Sequence, residues 1–212
     1  MSLPKSASIV IVGGGISGCA IAWNLANRGI KDIVVLEKDT LGNGSTGRCG
    51  AGIRMQWAAE KNCRLAQYSV DFFETANETL EYERDIEFEQ CGYLIVAANE
   101  NEAEQFKKNV KLQNGLGIPS VYLTPEEAKE IVPLLDTSQF VAATFCQKDG
   151  HLNPFHTTDA YVLAAERLGA KILKHTEVTD IEVKNGRIEG VETTRGRIAT
   201  NIVVNAAGGW SK

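Results

Sequence analysis

The feature that most constrains this chain lies near its start. An apolar run, Ile9-Val10-Ile11-Val12, passes into glycines 13 to 15 and then into a helical pattern from Ile16 to Arg28 that Gly29 closes. A second apolar run, Ile33 to Leu36, follows at once. The order strand, tight turn, helix, strand predicts a βαβ unit with parallel strands. Gly13, Gly15 and Gly18 form G-x-G-x-x-G at the strand-to-helix turn, and Glu37 ends the second run 19 residues after Gly18. In that context each glycine has a physical task. Gly13 permits the turn, Gly15 lets the backbone approach a diphosphate, and Gly18 lets helix and strand pack closely. The phosphates are expected at the helix N-terminus, where free N–H groups such as those of Ile16 and Ser17 and the positive end of the helix dipole favour an anion. Glu37 is placed to accept hydrogen bonds from ribose hydroxyls and to repel a 2'-phosphate, which argues against NADP. Lys38 is either a solvated lysine or a further contact to the same ligand.

Beyond Glu37 the chain does not move on to a third parallel strand. Leu41 to Gly52 is a glycine-rich loop with Ser45 and Thr46, and an apolar stripe at 66, 70, 73 and 80 predicts a helix from about Ala58 to Leu80. Gly92 to Val96 reads as a strand. Thr124-Pro125-Glu126-Glu127 carries the capping-box pattern of a helix start. Asn153 and Pro154 open another helix, with Tyr161, Ala164, Ala165 and Leu168 on one face and Gly169 as its stop. From Ala170, three short strands with turns at Asn185-Gly186 and Arg195-Gly196 read as a meander. The last apolar strand runs through Val203 and Val204 into Ala206-Ala207-Gly208-Gly209, small residues where a backbone can approach a ligand. The expected fold class is α/β: a Rossmann-like domain of residues 1–80 and 146–212 with a β-meander, interrupted by an inserted α+β region at 81–145. A long excursion and a return through a meander favour FAD over NAD, and an NAD-linked dehydrogenase is the alternative.

Charge and cysteine usage narrow the partners. A net charge of -5 leaves no basic stripe for nucleic acid or an anionic membrane surface. The apolar run at the amino end is far shorter than the ~20 residues of a membrane span. Five cysteines, at 19, 49, 63, 91 and 146, form no C-x-x-C pair and fit a reducing, cytoplasmic setting. His151, His156 and His175 lack metal-ligand spacing, so no metal site is expected.

At this point a family resemblance becomes specific. Gly42-Asn43-Gly44-Ser45-Thr46-Gly47-Arg48-Cys49-Gly50-Ala51-Gly52-Ile53-Arg54 resembles the flavin loop of the D-amino-acid oxidase superfamily. It is most similar to that of the β subunits of dye-linked L-proline dehydrogenase and heterooligomeric sarcosine oxidase. Tyr122 to Ala128, Val132 to Leu135, Asp149-Gly150, Asn153-Pro154-Phe155 and Val203 to Trp210 extend the resemblance along the chain. It implies FAD as cofactor, with Ser45 and Thr46 beside the diphosphate and ribityl chain and Arg48, Cys49 and Gly50 against the flavin. The backbone of Val178 would meet the adenine, and Ala207 and Gly208 would lie along the cofactor. It also implies hydride removal from the carbon next to an amine nitrogen, giving an imine that water hydrolyses. A small amine or amino acid such as proline, sarcosine or glycine is the implied substrate, and partner subunits of a heterooligomeric dehydrogenase are implied as well. Arg48 and Arg54 could clamp a substrate carboxylate, or equally hold a flavin phosphate or a surface acid. Cys49 is expected as a small buried residue near the flavin. Members of this family carry a further C-terminal part, so the chain is expected to be a portion of an enzyme; a noncatalytic dinucleotide-binding subunit is the other alternative.

Overall fold

The computed structural model describes residues 2–211. Along the chain run β1 (Ile9–Val12), α1 (Ile16–Asn27), β2 (Ile33–Leu36), β3 (Gly52–Ile53), α2 (Glu60–Phe73), α3 (Ala76–Thr79), β4 (Tyr93–Ala97), α4 (Glu100–Gly115), β5 (Ser120–Leu123) and α5 (Pro125–Ile131). After these come β6 (Ala142–Cys146), β7 (Gly150–His151), α6 (Pro154–Arg167), β8 (Lys171–Leu173), β9 (Val178–Lys184), β10 (Arg187–Thr193), β11 (Gly196–Ala199) and β12 (Val203–Asn205). The chain divides into two compact units: residues 1–50, 76–86 and 153–212 form the first, and 51–75 with 87–152 form the second.

In the first unit, β12-β1-β2-β8 form a wholly parallel sheet. Both faces are covered, which is why Ile9, Val10, Ile11 and all of β2 are buried with no polar alternation. One face packs Val10, Val34, Leu36 and Leu173 against Val191 and Ile198 of the antiparallel meander β9-β10-β11. Helices α1 and α6 pack on each other, with the Trp23 and Tyr161 rings 5.8 Å apart, and both contact the sheet strands. Asn153 caps α6 by accepting from the amides of Phe155 and His156, and Pro154 takes the first helical position.

The second unit is built on the antiparallel sheet β4-β6-β5 and the short pair β3-β7. Ala97, Ala103 and Ala142 pack with Phe106 where α4 meets this sheet, and Ala128 of α5 packs with Phe140 and Ala143. Thr124 and Glu127 form the expected capping box at the start of α5. Buried Asp149 is part of the frame, accepting from the Met55 amide at 2.8 Å and from Gln56 at 3.0 Å.

The α/β class, the parallel sheet, the meander and the antiparallel insertion agree with the sequence expectation. Three details differ. The single helix expected over 58–80 is two, because its stripe serves two cores: Val70 and Ala66 pack with Met55 and Ile118 in the second unit, whereas Leu80 is buried in the first. The unit boundaries accordingly fall at 50/51, 75/76, 86/87 and 152/153, not at 80 and 146. Finally, four strands, not three, lie between Ala170 and β12, and the first of them, β8, pairs with β2 in the parallel sheet before the three-stranded meander begins.

Candidate dinucleotide site

At the carboxyl ends of β1, β2 and β12 lies a cleft of about 750 Å³, the place where open α/β sheets take ligands. Its floor is the glycine turn. Gly13 has φ +112°, and a β-carbon there would stand 2.5 Å from the Ala206 carbonyl oxygen. A β-carbon at Gly18 would stand 2.0 Å from the Gly13 carbonyl oxygen, so this residue sets the helix-to-strand distance. Gly15 differs. Its φ of -79° suits any residue, it lines the cleft, and its β-carbon would have only the Thr46 hydroxyl within 4 Å, at 3.1 Å.

Gly15 is the N-cap of α1 but offers no capping side chain, and the first turn of the helix carries no acid. The Ile16 amide is met instead from outside the helix, by the Thr46 hydroxyl at 3.0 Å. The loop carrying Thr46 is tied down by Gly42 N–H to the Gly14 carbonyl at 3.0 Å and closed by Gly47 N–H to the Gly42 carbonyl at 2.7 Å. Ser45, Arg48 and Cys49 of this loop also line the cleft. Cys49 is exposed, not buried as the sequence led us to expect, and its thiol donates to the Thr46 carbonyl at 3.1 Å. On α1, burial and then the charge of Glu37 push the Cys19 thiol up to about 12, so it stays protonated and inert.

Glu37 lines the cleft beside the glycine turn, with both carboxylate oxygens in use. One accepts from the Gly14 amide at 2.7 Å and the other from the Asp39 amide at 2.9 Å. Each oxygen keeps a second lone pair, so the amides orient the group without exhausting it. Val178 lines the cleft where the meander begins, and Ala207 and Gly208 line it after β12. Lys38 and Arg48, which also line the cleft, each lie against the indole of Trp210, 5.2 and 5.8 Å from the ring centroid.

Of the residues named from sequence, Gly13, Gly15, Ile16, Ser17, Glu37, Lys38, Ser45, Thr46, Arg48, Cys49, Val178, Ala207 and Gly208 come together here, whereas Gly18 lies behind the turn and Gly50 is outside the lining. Thr176, Glu177 and Trp210 also line the cleft and were missed. Trp210 closes the Val203-to-Trp210 motif and could have been named with it; Thr176 and Glu177 sit in the β8-to-β9 connection, which carries no motif. Arg54 belongs to the second unit, where its guanidinium lies 4.3 Å from the Trp57 ring centroid. The three histidines are apart from the cleft lining, and among the described residues no group of three or more His, Cys, Asp or Glu is placed to hold a metal.

A glycine turn feeding a helix N-terminus, an acid at the end of the next strand and a cleft across the strand ends define a dinucleotide-binding α/β protein. The chain belongs to the FAD dependent oxidoreductase family, whose pattern matches residues 8–212. Its fold matches L-proline dehydrogenase from P. horikoshii with a TM-score of 0.90 at 44% identity, over 98% of this chain and 54% of that one. It is 29% identical to the sarcosine oxidase subunit beta of Rhodobacter capsulatus over 92% of this chain and 48% of that protein. It is also 31% identical to the mitochondrial pyruvate dehydrogenase phosphatase regulatory subunit of Mus musculus, over 100% of this chain and 24% of that one. The chain thus spans about half of the first two relatives and a quarter of the third.

Proposed function

We propose that this chain is the FAD-binding part of an amine or amino-acid oxidoreductase. The observation that carries the reading is the cleft at the α1 N-terminus, lined by Gly15 and by a Glu37 oriented by the Gly14 amide. The residues present fit the cofactor. A β-carbon at Gly15 would fill the cradle at the point where a diphosphate would approach, and the acid-free first turn of α1, capped by no side chain of its own N-cap residue, favours that anion. Glu37 would accept from the adenosine ribose, the Thr46 and Ser45 hydroxyls would lie beside the diphosphate, and the start of β9 at Val178 would flank the adenine. The bound flavin would supply the hydride-accepting ring; this chain's residues would hold and orient it.

The substrate class rests on the names of two relatives, L-proline dehydrogenase and sarcosine oxidase subunit beta. Proline, sarcosine or glycine-like amines are the substrates we propose for the whole protein, acting with partner subunits as the name sarcosine oxidase subunit beta implies. A cytoplasmic setting is part of the same reading, supported by five free cysteines. A second reading, a noncatalytic dinucleotide-binding subunit, is favoured by the match to a regulatory subunit along the entire chain. Purifying the protein, extracting its cofactor and identifying it by chromatography tests the proposal. FAD is expected; a nicotinamide dinucleotide, or no retention of added FAD, would overturn it.

A further inference from the structure

Phe155 is a large apolar side chain left 54% exposed at the start of a helix that buries Ala160, Tyr161, Val162, Ala164 and Ala165. Its backbone is fixed. The Asn153 side chain accepts from the Phe155 amide at 3.0 Å and the His156 amide at 3.1 Å, with Pro154 at the first helical position. The ring rests on the glycine loop that lines the cleft. A β-carbon at Gly47 would lie 2.9 Å from two ring atoms, and one at Gly42 would lie 3.7 Å from a third. Gly47 and Gly42 are the two ends of the turn closed by the 2.7 Å hydrogen bond between them, so the ring lies against both ends at once.

This places α6 in contact with both sides of the anion-binding end. Through Tyr161 it packs on Trp23 of α1, whose N-terminus forms the cradle; through Phe155 it packs on the loop that delivers Thr46 to the Ile16 amide. That loop is also tied to the glycine turn by two hydrogen bonds, from the Gly42 amide to the Gly14 carbonyl and from the Ile16 amide to the Thr46 hydroxyl. We propose that Phe155 is a positioning residue for residues 42–48, propping the loop so that its hydroxyls and amides are set for the dinucleotide before binding. The proposal rests on the FAD reading, and it assigns a role to a side chain that does not line the cleft itself.

The test uses the 212-residue chain with FAD as the probe. Phe155 is exposed, and alanine is a good helix former at that position, so Phe155→Ala is expected to fold with an unchanged melting temperature in the absence of FAD. With the prop gone, the loop must be ordered by the ligand, which should weaken FAD affinity about 3- to 10-fold. Phe155→Leu should restore most of it. Amide exchange of residues 42–48, measured without FAD, should accelerate in Phe155→Ala and return in Phe155→Leu, while α6 itself stays protected. Unchanged affinity together with unchanged exchange of the loop would overturn the proposal, as would loosening confined to α6. If the unsubstituted chain retains no FAD, the cofactor reading fails, and loop exchange alone then decides whether Phe155 is a prop.

Discussion

Gly15 and Gly18 stand three residues apart on the same turn, yet a side chain would do different damage at each. At Gly15 the backbone conformation is ordinary and a β-carbon would point into the cleft, with only the Thr46 hydroxyl near it. Gly15→Val should therefore fold and lose FAD binding, as checked by circular dichroism and retention of added flavin. At Gly18 the added carbon would stand 2.0 Å from a backbone oxygen, so Gly18→Ala should cost stability before it costs affinity. Glu37 sits between these extremes because its carboxylate holds the Gly14 and Asp39 amides and, on the proposed reading, would also accept from the ribose. A charge-assisted hydrogen bond contributes roughly 1.5 to 3 kcal/mol, so Glu37→Ala should weaken FAD affinity about 10- to 100-fold. A titration followed by flavin fluorescence reads this, and unchanged affinity in a folded variant would refute the assignment. The part-buried Gly14 amide would also lose its partner, so the melting temperature should fall as well.

Among the elements, the β6-to-β7 connection carries a buried acid. Burial raises the Asp149 carboxyl above the usual aspartate range, against the opposing pull of the Met55 amide, Gln56, Cys146 and the Arg54 charge. The folded state therefore binds the proton more tightly than the unfolded state. The stability this group contributes is complete below the unfolded aspartate value and is lost as pH rises through the raised folded value. Asp149→Asn should flatten that part of the stability profile, giving a smaller fall as pH rises above the ordinary aspartate value of about 4 in urea titrations than the unsubstituted chain. An identical pH profile in both would show that Asp149 is not the group responsible. Legibility in sequence also varied by element, for physical reasons. The β1 and β2 bounds and the α1 start were readable to the residue, since local periodicity, glycines and end signals all agree there. α6 was readable from Asn153, Pro154 and Gly169 alike. α4 was not singled out, because only Ala103 and Gln113 of its 16 residues are buried and its stripe is weak. The break between α2 and α3 was hidden because one helical period runs through both, and only long-range packing decides that Val70 and Leu80 serve different cores. In the site, the motif residues were legible, whereas Thr176 and Glu177 reach the cleft only because β8 joins the parallel sheet.

For the whole molecule, the question is what 212 residues can do without the remainder of the length its relatives possess. On the proposed reading the cleft would take the adenosine and diphosphate ends of FAD, and the loop and the end of β12 would meet part of the flavin. On the same reading the described residues of the cleft lining serve the cofactor, and none is assigned to an amine substrate. Reaction requires the donor carbon and the acceptor atom to be held within about 3 to 3.5 Å, and misplacement of about 1 Å can cost roughly 100-fold. A chain that binds the cofactor but leaves the substrate free should therefore take up FAD with no measurable turnover. The chain spans 54% of P. horikoshii L-proline dehydrogenase at 44% identity, which makes that protein's remaining part a suitable donor for a chimera. Both proteins would be reconstituted with FAD, and reduction of an artificial electron acceptor followed with proline, sarcosine and glycine in turn. The chimera is expected to oxidise at least one of them and the 212-residue chain none. Flavin binding should raise the melting temperature of both, because a ligand that binds only the folded state stabilises by about 2.7 kcal/mol at a hundredfold excess over its Kd. Comparable turnover by the 212-residue chain would mean that its own residues complete a substrate site. A flavin-dependent thermal shift without turnover in either protein would instead favour the noncatalytic reading.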